Sequence, residues 1–457
     1  MNALHCVVLA AGQGTRMKSA LPKVLQPIGG QPMLAHVIDT ARALLATTHV
    51  VYGHGGEQVQ AFFAEQTQLH WAHQAEQKGT AHAVQQAMPQ IPDDATVLIL
   101  YGDVPLIRAA TLQSLLAQVG GGLAVLTVQL SNPTGYGRIV RNAGRQVQGI
   151  VEEKDANAAQ KAITEVNTGV MAASAQRLRA WLSRIGNANA NGEFYLTDVV
   201  ALAVADGVTV NTVSASSAEE VEGANDRIQL ARLERAYQRR EVENLMHQGV
   251  RMADPARVDI RGRVMAGRDV FLDVGCILEG EVTLGDNVHI GAYSMVRDSE
   301  IGADTQIEAH SILDRARVGK ACQIGPFARL RPQAQIGDEA HVGNFVEIKK
   351  TTLGARSKAN HLAYLGDGEV GSDVNIGAGT IFCNYDGANK HLTVIEDGAF
   401  IGSDSQLVAP VRVGRGATVG AGSTIAKDVP AGGLTICRAR EQKTFANWQR
   451  PRKTPKA

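Results

Sequence analysis

The sequence predicts two architectures in one chain: an α/β domain with a mostly parallel sheet, then a helical linker and a parallel β-helix. With 457 residues, the chain is about three times as long as an ordinary domain of ~150 residues. Its first part alternates short β-rich apolar runs, such as residues 97–100, with helix-like stretches, such as residues 33–45. Its second part repeats an aliphatic residue every six positions. We predict domains at residues 1–228 and 250–457 and a linker at residues 229–249.

Charge and cysteine content narrow the classes of function. The 45 Lys and Arg residues balance 45 Asp and Glu residues, so the chain lacks the positive field that non-specific nucleic-acid or membrane-surface binding needs. The five cysteines form no Cys-x-x-Cys pair for zinc or redox chemistry. The N-terminus lacks the basic and apolar regions of a signal peptide, and no apolar run approaches the ~18 residues of a membrane span. We expect a cytoplasmic protein with small-molecule or subunit partners.

The predicted linker carries one apolar stripe at helical spacing, formed by Leu230, Leu233, Tyr237 and Leu245, among many charged residues. Gly249 supplies a stop signal for the helix. We expect an exposed connector.

The repeats of the second part set the register of the β-helix. One stretch has aliphatic residues at Val318, Ile324, Leu330, Ile336, Val342 and Ile348, and another at Ile395, Ile401, Leu407, Val413, Val419 and Ile425. Each repeat is a short strand and a turn, and three repeats complete a coil whose aliphatic side chains point inward. The rhythm breaks at residues 354–369 and 383–394, which we expect to leave the β-helix as functional loops.

A glycine-rich segment after the first strand is the first candidate site. Residues 9–17 read Leu-Ala-Ala-Gly-Gln-Gly-Thr-Arg-Met, and Pro22 and Lys23 follow. The spacing fits neither the dinucleotide fingerprint nor the P-loop. An ordinary tight turn is the simplest interpretation of the glycines alone. With Arg16 and Lys23 nearby, we interpret the segment as a strand-to-helix turn whose backbone N–H groups bind a triphosphate.

This segment resembles the signature of sugar-nucleotide pyrophosphorylases. Residues 75–82 resemble the uracil-recognition loop of that family, with Lys78 where an aliphatic residue is usual, and Asp103 ends a buried strand, where open α/β sheets bind ligands. The resemblance implies that Asp103 and Asn225 hold Mg²⁺, for which carboxylate and amide oxygens are suitable ligands. It implies a site for UTP and a sugar 1-phosphate at Leu9, Ala10, Ala11, Gly12, Arg16, Lys23, Gln74, Gly79, Thr80, Tyr101, Gly102, Asp103, Gly137, Glu152, Asn167 and Asn225.

Segments of the second part extend the resemblance over essentially the whole chain. Residues 329–332, 347–350, 358–367 and 383–390 are similar to the acetyltransferase half of the bacterial bifunctional N-acetylglucosamine-1-phosphate uridyltransferase / glucosamine-1-phosphate N-acetyltransferase. The resemblance implies a Rossmann-like nucleotidyltransferase domain, a left-handed β-helix and a homotrimer with sites between subunits. It also implies acetyl-CoA and UTP as co-substrates, and UDP-N-acetylglucosamine for cell-envelope polymers as the product.

Acetyl transfer to an amine needs a base with a pKa near 7, and His361 is the candidate. The resemblance places the sugar phosphate at Arg331, Lys349, Tyr364, Asn375, Asn384 and Lys390, and acetyl-CoA at Ala378, Asn384, Tyr385, Ser403, Ala421 and Arg438. Arg438 begins a basic tail, for which the phosphates of CoA are better partners than nucleic acid. Two alternatives remain: a monofunctional nucleotidyltransferase whose β-helix only assembles subunits, and a non-catalytic assembly subunit.

Overall fold

The computed structural model describes residues 3–438. It divides the chain into two compact units, Met1–Tyr237 and Gln238–Ala457. The part of the predicted basic tail after Arg438 lies outside the described residues. Within the described part of the chain, no helix has the length and apolar character needed to cross a membrane.

From residue 3 onward, the first unit contains eleven strands and eight α-helices, together with the start of a ninth helix. The strands are β1 Leu4–Leu9, β2 Pro27–Ile28, β3 Gln31–Pro32, β4 Thr47–Tyr52, β5 His70–His73, β6 Thr96–Tyr101, β7 Leu123–Gln129, β8 Arg138–Arg141, β9 Val147–Val151, β10 Glu165–Ser174 and β11 Val210–Ser214. The helices are α1 Met33–Ala43, α2 Gly56–Phe62, α3 Thr80–Ala87, α4 Ala109–Ala117, α5 Ala158–Lys161, α6 Ala175–Leu182, α7 Asp198–Ala205, α8 Ala218–Val221 and α9 Arg227–His247.

One mixed sheet of nine strands forms the centre of this unit, in the order β11-β7-β10-β6-β1-β4-β5, with β8 and β9 attached through β10. Pairing is parallel from β6 to β5 and between β11 and β7, whereas β10 is antiparallel to both neighbours. Val7 and Leu9 of β1 pack into one buried cluster and Cys6 and Val8 into another. Helices therefore cover both faces of the sheet, as expected for parallel strands, and the predicted α/β class is confirmed.

Three histidines lie on adjacent strands of this sheet. His5 Nδ1 and His49 Nε2 are 2.9 Å apart, and the His49 and His70 ring centroids are 5.1 Å apart. His49 is 1% exposed. Burial is the main reason that its pKa falls to about 4, and the neighbouring His5 and His70 lower the pKa further, while a hydrogen bond with Gln90 opposes the shift.

Because His49 is buried with a lowered pKa, we expect the folded protein to lose stability as the pH falls. An unfolded chain binds a proton on this residue below about pH 6.5, whereas the folded chain binds it only near pH 4, so the free energy of unfolding falls as the pH is lowered. Between pH 7.5 and 5 we expect a loss of about 2 kcal/mol. Urea unfolding followed by tryptophan fluorescence measures it. His49→Gln cannot be protonated and should flatten the dependence; an equally steep dependence in this variant would contradict the assignment.

Helix α9 contributes to the cores of both units. Leu233 and Tyr237 pack in a buried cluster with first-unit residues that include Met17, whereas Val242 and Leu245 belong to the core cluster of the second unit. The apolar stripe seen in the sequence is thus buried rather than exposed. The division between the units falls inside this helix.

The second unit is built almost wholly from short strands. They are β12 Arg251–Met252, β13 Asp259–Ala266, β14 Phe271–Leu272, β15 Ile277–Leu284, β16 His289–Ile290, β17 Met295–Arg297, β18 Glu300–Ile301, β19 Gln306–Ile307, β20 Ile312–Asp314, β21 Arg317–Val318, β22 Gln323–Ile324, β23 Arg329–Leu330, β24 Ala334–Ile336, β25 His341–Asn344, β26 Glu347–Leu353, β27 Lys358–His361, β28 Tyr364–Val370, β29 Asn375–Ile376, β30 Ile381–Cys383, β31 Thr393–Ile395, β32 Phe400–Ile401, β33 Gln406–Val408, β34 Val411–Val413, β35 Thr418–Val419, β36 Thr424–Ile425 and β37 Leu434–Thr435.

These strands stack in parallel along three faces, and long strands such as β26 and β28 turn a corner and join two faces. Buried aliphatic residues pair from coil to coil, and on one face the stack runs Ile290, Ile307, Ile324, Val342, Ala359 and Ile376 at intervals of 17 or 18 residues. This is the predicted left-handed parallel β-helix.

The same strand pairing shows that one of the two predicted loops does not leave the β-helix. Residues 354–369 complete a coil of normal length, because Val342 pairs with Ala359 and Ile348 with Leu365. The prediction failed because Ala359, although small, fills an inward position. From Ile376 to Ile401 the interval is 25 residues, so the second interruption does leave the β-helix.

One corner of the β-helix carries an exposed row of stacked rings. Tyr293, His310, Phe327 and Phe345 occupy successive coils with ring centroids 5.4, 4.9 and 5.3 Å apart. All four have φ between 57° and 61°, the left-handed conformation that the corner requires. Tyr293, Phe327 and Phe345 are each about half exposed.

Candidate active sites

A cavity of about 260 Å³ opens at the carboxyl ends of β1 and β6 in the first unit. Ten of the predicted residues line it: Leu9, Ala10, Ala11, Gly12, Lys23, Gln74, Gly79, Thr80, Tyr101 and Asp103. Four further lining residues, Val24, Gln77, Ala83 and Glu193, were not predicted; Gln77 lies inside the 75–82 motif, which is the only signal that could have found it.

The glycine-rich segment does not lead into an α-helix as predicted. A single 3-10 turn, Thr15–Met17, follows it, because Gly14 and Lys18 adopt left-handed conformations on either side. A side chain added at Gly12 would meet nothing within 4 Å, so a ligand can approach the backbone there. Arg16 is exposed and lies outside the cavity lining.

The two predicted magnesium ligands lie against one lysine. Lys23 Nζ donates to Asp103 Oδ2 and, at 3.3 Å, to Asn225 Oδ1. Asp103 is only 16% exposed, so its charge is poorly screened by water. One carboxylate and one amide oxygen therefore converge beside the cavity, and this donor set fits a hard divalent cation. Among the described residues, no group of three or more His, Cys, Asp or Glu side chains could hold a metal.

The predicted base-recognition segment, residues 75–82, contacts the loop at residues 194–196. Gln74 Nε2 donates to the carbonyl oxygen of Gly79 at 3.1 Å, and the Thr80 hydroxyl accepts from the Leu196 N–H at 3.0 Å. A side chain at Gly79 would lie 2.5 Å from the Phe194 carbonyl oxygen, so only glycine fits there. Lys78 forms an exposed ion pair with Glu76 and does not line the cavity.

The predicted sugar residues form a second group. The Asn167 N–H donates to the Gly137 carbonyl oxygen at 2.8 Å, and the Thr197 hydroxyl donates to Glu152 Oε1 at 3.0 Å. Burial raises the pKa of Glu152, although the bond from Thr197 opposes the shift. The backbone N–H of Gly102 donates to the Leu9 carbonyl oxygen at 2.9 Å, which holds the ends of β1 and β6 together.

In the second unit His361 ends strand β27 instead of lying on a loop as predicted. Its Nδ1 is 2.8 Å from Asn344 Oδ1, one coil away. Because an amide oxygen only accepts, Nδ1 carries the proton of the neutral ring, and Nε2 keeps the lone pair that a base needs. Asn344 was not predicted, although it lies 17 residues before His361, one coil length.

The hydrogen bond between Asn344 and His361 predicts that replacing Asn344 slows acetyl transfer. In Asn344→Leu the imidazole loses the acceptor that fixes its tautomer, and we expect the rate of CoA release to fall about tenfold or more. Asn287→Leu, which removes another asparagine hydrogen bond at a β-helix corner, is the matched control. Equal rates for the two variants would show that Asn344 does not orient the base.

Four of the six predicted acetyl-CoA residues, Ala378, Ser403, Ala421 and Arg438, form a column that begins at His361. Asn384 and Tyr385 lie outside this column, at the loop that leaves the β-helix. The Gly379 N–H donates to the His361 carbonyl oxygen, and the Asp404 N–H donates to that of Ala378, at 3.2 and 2.7 Å. Ser403 and Ala421 continue the column on the next coils, and Arg438 Nη2 donates to the Ala421 carbonyl oxygen at 2.7 Å. Successive coils therefore present small residues along one edge, with a cation at the end.

The predicted phosphate ligands form a separate basic cluster. Arg331 is paired with Glu347 at 2.7 Å, and the neighbouring Lys390 amine lowers the pKa of Lys349. A side chain at Gly366 would lie 2.5 Å from the Tyr364 hydroxyl and 2.8 Å from Asn384 Nδ2, so both groups flank this glycine. Asn375 lies on a different face, paired with Lys358 in the stack that contains His361.

The loop that leaves the β-helix is a closed hairpin. Tyr385 and Lys390 form an antiparallel bridge, and the His391 N–H donates to the Asn384 carbonyl oxygen at 2.8 Å. The Asn389 N–H, the His391 Nε2 and the Ala388 N–H all bond to the Asp386 carboxylate, and these bonds hold its pKa well below the usual range. Tyr385 is exposed on this hairpin.

Three family models match parts of the chain. The MobA-like NTP transferase domain matches residues 6–166, the GMPPB C-terminal domain residues 260–353, and six repeats of the bacterial transferase hexapeptide residues 392–427. Together with the two sites, these matches define a nucleotidyltransferase joined to a hexapeptide-repeat transferase.

Relatives that match nearly the whole chain identify the family. Proteins named bifunctional protein GlmU from Xanthomonas axonopodis pv. citri, Stenotrophomonas maltophilia and Alkalilimnicola ehrlichii are 60, 58 and 56% identical to it, over 98, 98 and 99% of this chain and 98, 99 and 98% of their own lengths. The chain belongs to this family of bifunctional proteins, with uridyltransferase and acetyltransferase activities. The alternative of a monofunctional enzyme with a β-helical scaffold is not favoured.

Proposed function

We propose that the second unit transfers an acetyl group from acetyl-CoA to the amine of glucosamine 1-phosphate. The first unit then transfers uridylyl from UTP to N-acetylglucosamine 1-phosphate and releases pyrophosphate. The observation that carries the two-site proposal is His361, hydrogen-bonded to Asn344 and followed by the column Ala378, Ser403, Ala421 and Arg438. A β-helix that only assembled subunits would need no such arrangement.

In acetyl transfer the neutral amine attacks the thioester carbon and its proton passes to His361 Nε2. As the C–S bond breaks, His361 gives this proton to the CoA sulfur, which leaves as the thiol. Asn344 keeps Nε2 unprotonated at the start. Lys349, Lys390 and Arg331 supply charge-assisted hydrogen bonds to the sugar phosphate.

In uridylyl transfer an oxygen of the sugar phosphate attacks the α-phosphorus of UTP and pyrophosphate leaves, so positioning and charge neutralisation are the main catalytic needs. The backbone around Gly12 and the Lys23 ammonium would bind the phosphates. Asp103 and Asn225 would hold Mg²⁺, which neutralises charge on phosphate oxygens when bound. Glu152 and Asn167 would hold the sugar.

A homotrimer with acetyltransferase sites between subunits is the proposed assembly. His361 and its column lie at one corner of the β-helix, whereas Lys350 and Asp367 occupy the next corner on successive coils, beside Lys349. Within the described residues no hydrogen bond or ion pair joins the two groups. The exposed row from Tyr293 to Phe345 supplies apolar surface for a subunit contact. We also propose that the protein is cytoplasmic.

One coupled assay tests the proposed sequence. The protein is supplied with glucosamine 1-phosphate, acetyl-CoA, UTP and Mg²⁺, and free CoA thiol and pyrophosphate are followed separately. We expect both products, with pyrophosphate dependent on acetyl-CoA unless N-acetylglucosamine 1-phosphate is added. Pyrophosphate release without thiol release would show that the β-helix is only a scaffold. An active monomer in size-exclusion chromatography would contradict the proposed trimer.

A further inference from the structure

A buried carboxylate stands inside the basic cluster of the second unit. Asp367 is 6% exposed, and its side chain accepts a hydrogen bond of 2.6 Å from Asn384 Nδ2. Lys350 Nζ lies 3.1 Å and Lys390 Nζ 4.0 Å from its oxygens. Its φ of 50° places it at a left-handed corner position.

This placement opposes the binding of a phosphate, because a negative charge repels the anion that the neighbouring cations attract. A buried charge is also costly unless it is paired and hydrogen-bonded. Asp367 meets this condition through Lys350 and Asn384. Its presence in the cluster therefore points to a role other than the binding of phosphate.

The hydrogen bond to Asn384 supplies that role. An amide has a donating nitrogen and an accepting oxygen, and the contact with a carboxylate fixes which of the two faces Asp367. With Nδ2 on Asp367, Oδ1 points away from it. Oδ1 has no hydrogen-bond partner among residues 3–438, so it is free to accept from a ligand.

We propose that Asp367 is a positioning residue for acetyl transfer: it orients the Asn384 amide so that Oδ1 accepts an N–H of the amino group of the sugar phosphate. This inference rests on the acetyltransferase activity proposed above. An N–H held by Oδ1 leaves the nitrogen lone pair free for the thioester carbon. Lys350 serves only to neutralise the carboxylate.

Three variants separate the hydrogen bond from the charge. Asp367→Leu removes both, and Asp367→Asn keeps an oxygen that can accept from Asn384. Lys350→Met removes the closer of the two ion pairs and keeps the hydrogen bond. We expect kcat for CoA release to fall about tenfold or more in Asp367→Leu, with KM for acetyl-CoA within about twofold of wild type, and to change less than about threefold in the other two. Pyrophosphate release from UTP and N-acetylglucosamine 1-phosphate checks that each variant is folded in the first unit, and thermal unfolding checks the β-helix.

A swapped pair keeps the proposal testable if Asp367→Leu does not fold. Asn384→Asp brings two carboxylates together and should lose acetyl transfer at pH 7, whereas the double variant D367N/N384D restores one donor and one acceptor and should recover most of the lost kcat. Wild-type kcat in a folded Asp367→Leu, or a double variant no better than Asn384→Asp, overturns the proposal. Wild-type protein that releases no CoA overturns the acetyltransferase activity itself.

Discussion

Asp103→Ala should abolish pyrophosphate release, lowering kcat/KM of uridylyl transfer by a factor of about 1,000 or more, and leave CoA release near wild type. Among residues 3–438, Asp103 supplies the one carboxylate that contacts Lys23 beside the cavity. Its removal takes away a proposed Mg²⁺ ligand, so the cation that would neutralise charge on the triphosphate is held less tightly. It also removes the contact that positions the Lys23 ammonium. Pyrophosphate and CoA thiol are measured separately on the same preparation.

A control variant distinguishes this effect from a general loss of acidic charge. Asp93→Ala removes an exposed carboxylate of the same unit that pairs with Arg179, and exposed pairs contribute little, so both activities should stay within about twofold of wild type. If Asp103→Ala also stops CoA release, the two sites are not independent.

His361→Ala should give the converse result: CoA release falls by about 100- to 10,000-fold, which is the contribution of general base catalysis. Uridylyl transfer to supplied N-acetylglucosamine 1-phosphate should not change, because His361 lies in the other unit. A stopped assay of free thiol over a range of glucosamine 1-phosphate concentrations measures the loss in kcat.

The matched control is His289→Ala, which removes a histidine from the same stacked face of the β-helix, far along the chain from the column that begins at His361. It should keep wild-type acetyl transfer. An undiminished rate in His361→Ala would remove this residue from the mechanism, and the base would have to be sought elsewhere.

Much of the β-helix could be predicted because each coil buries one aliphatic residue per face. Where the inward residue is as small as Ala359, the pattern weakens, and the sequence wrongly predicts a loop in place of a normal coil. Helix α9 shows the opposite difficulty: its charged sequence indicates exposure, but its apolar stripe completes the cores of both units.

The site contacts were harder to predict because they join distant positions. Lys23 lies 80 residues from Asp103 and 202 from Asn225, and nothing in the local sequence shows that one nitrogen reaches both. In the second unit the length of a coil indicates which residues can be hydrogen-bond partners. Asn344 precedes His361 by 17 residues and Asp367 precedes Asn384 by 17, so partners could have been sought one coil away.

The closed hairpin after Asn384 and the inward residues of the coils differ in how strongly the fold constrains them. Both of its ends meet at the bond between the His391 N–H and the Asn384 carbonyl oxygen, and the coil that follows resumes its pairing with Ile376 opposite Ile401. The register of the coils therefore does not depend on how many residues the hairpin contains. We expect an insertion in the hairpin to cost less folding stability than the replacement of one inward residue, which packs against the residues of the coils on either side of it.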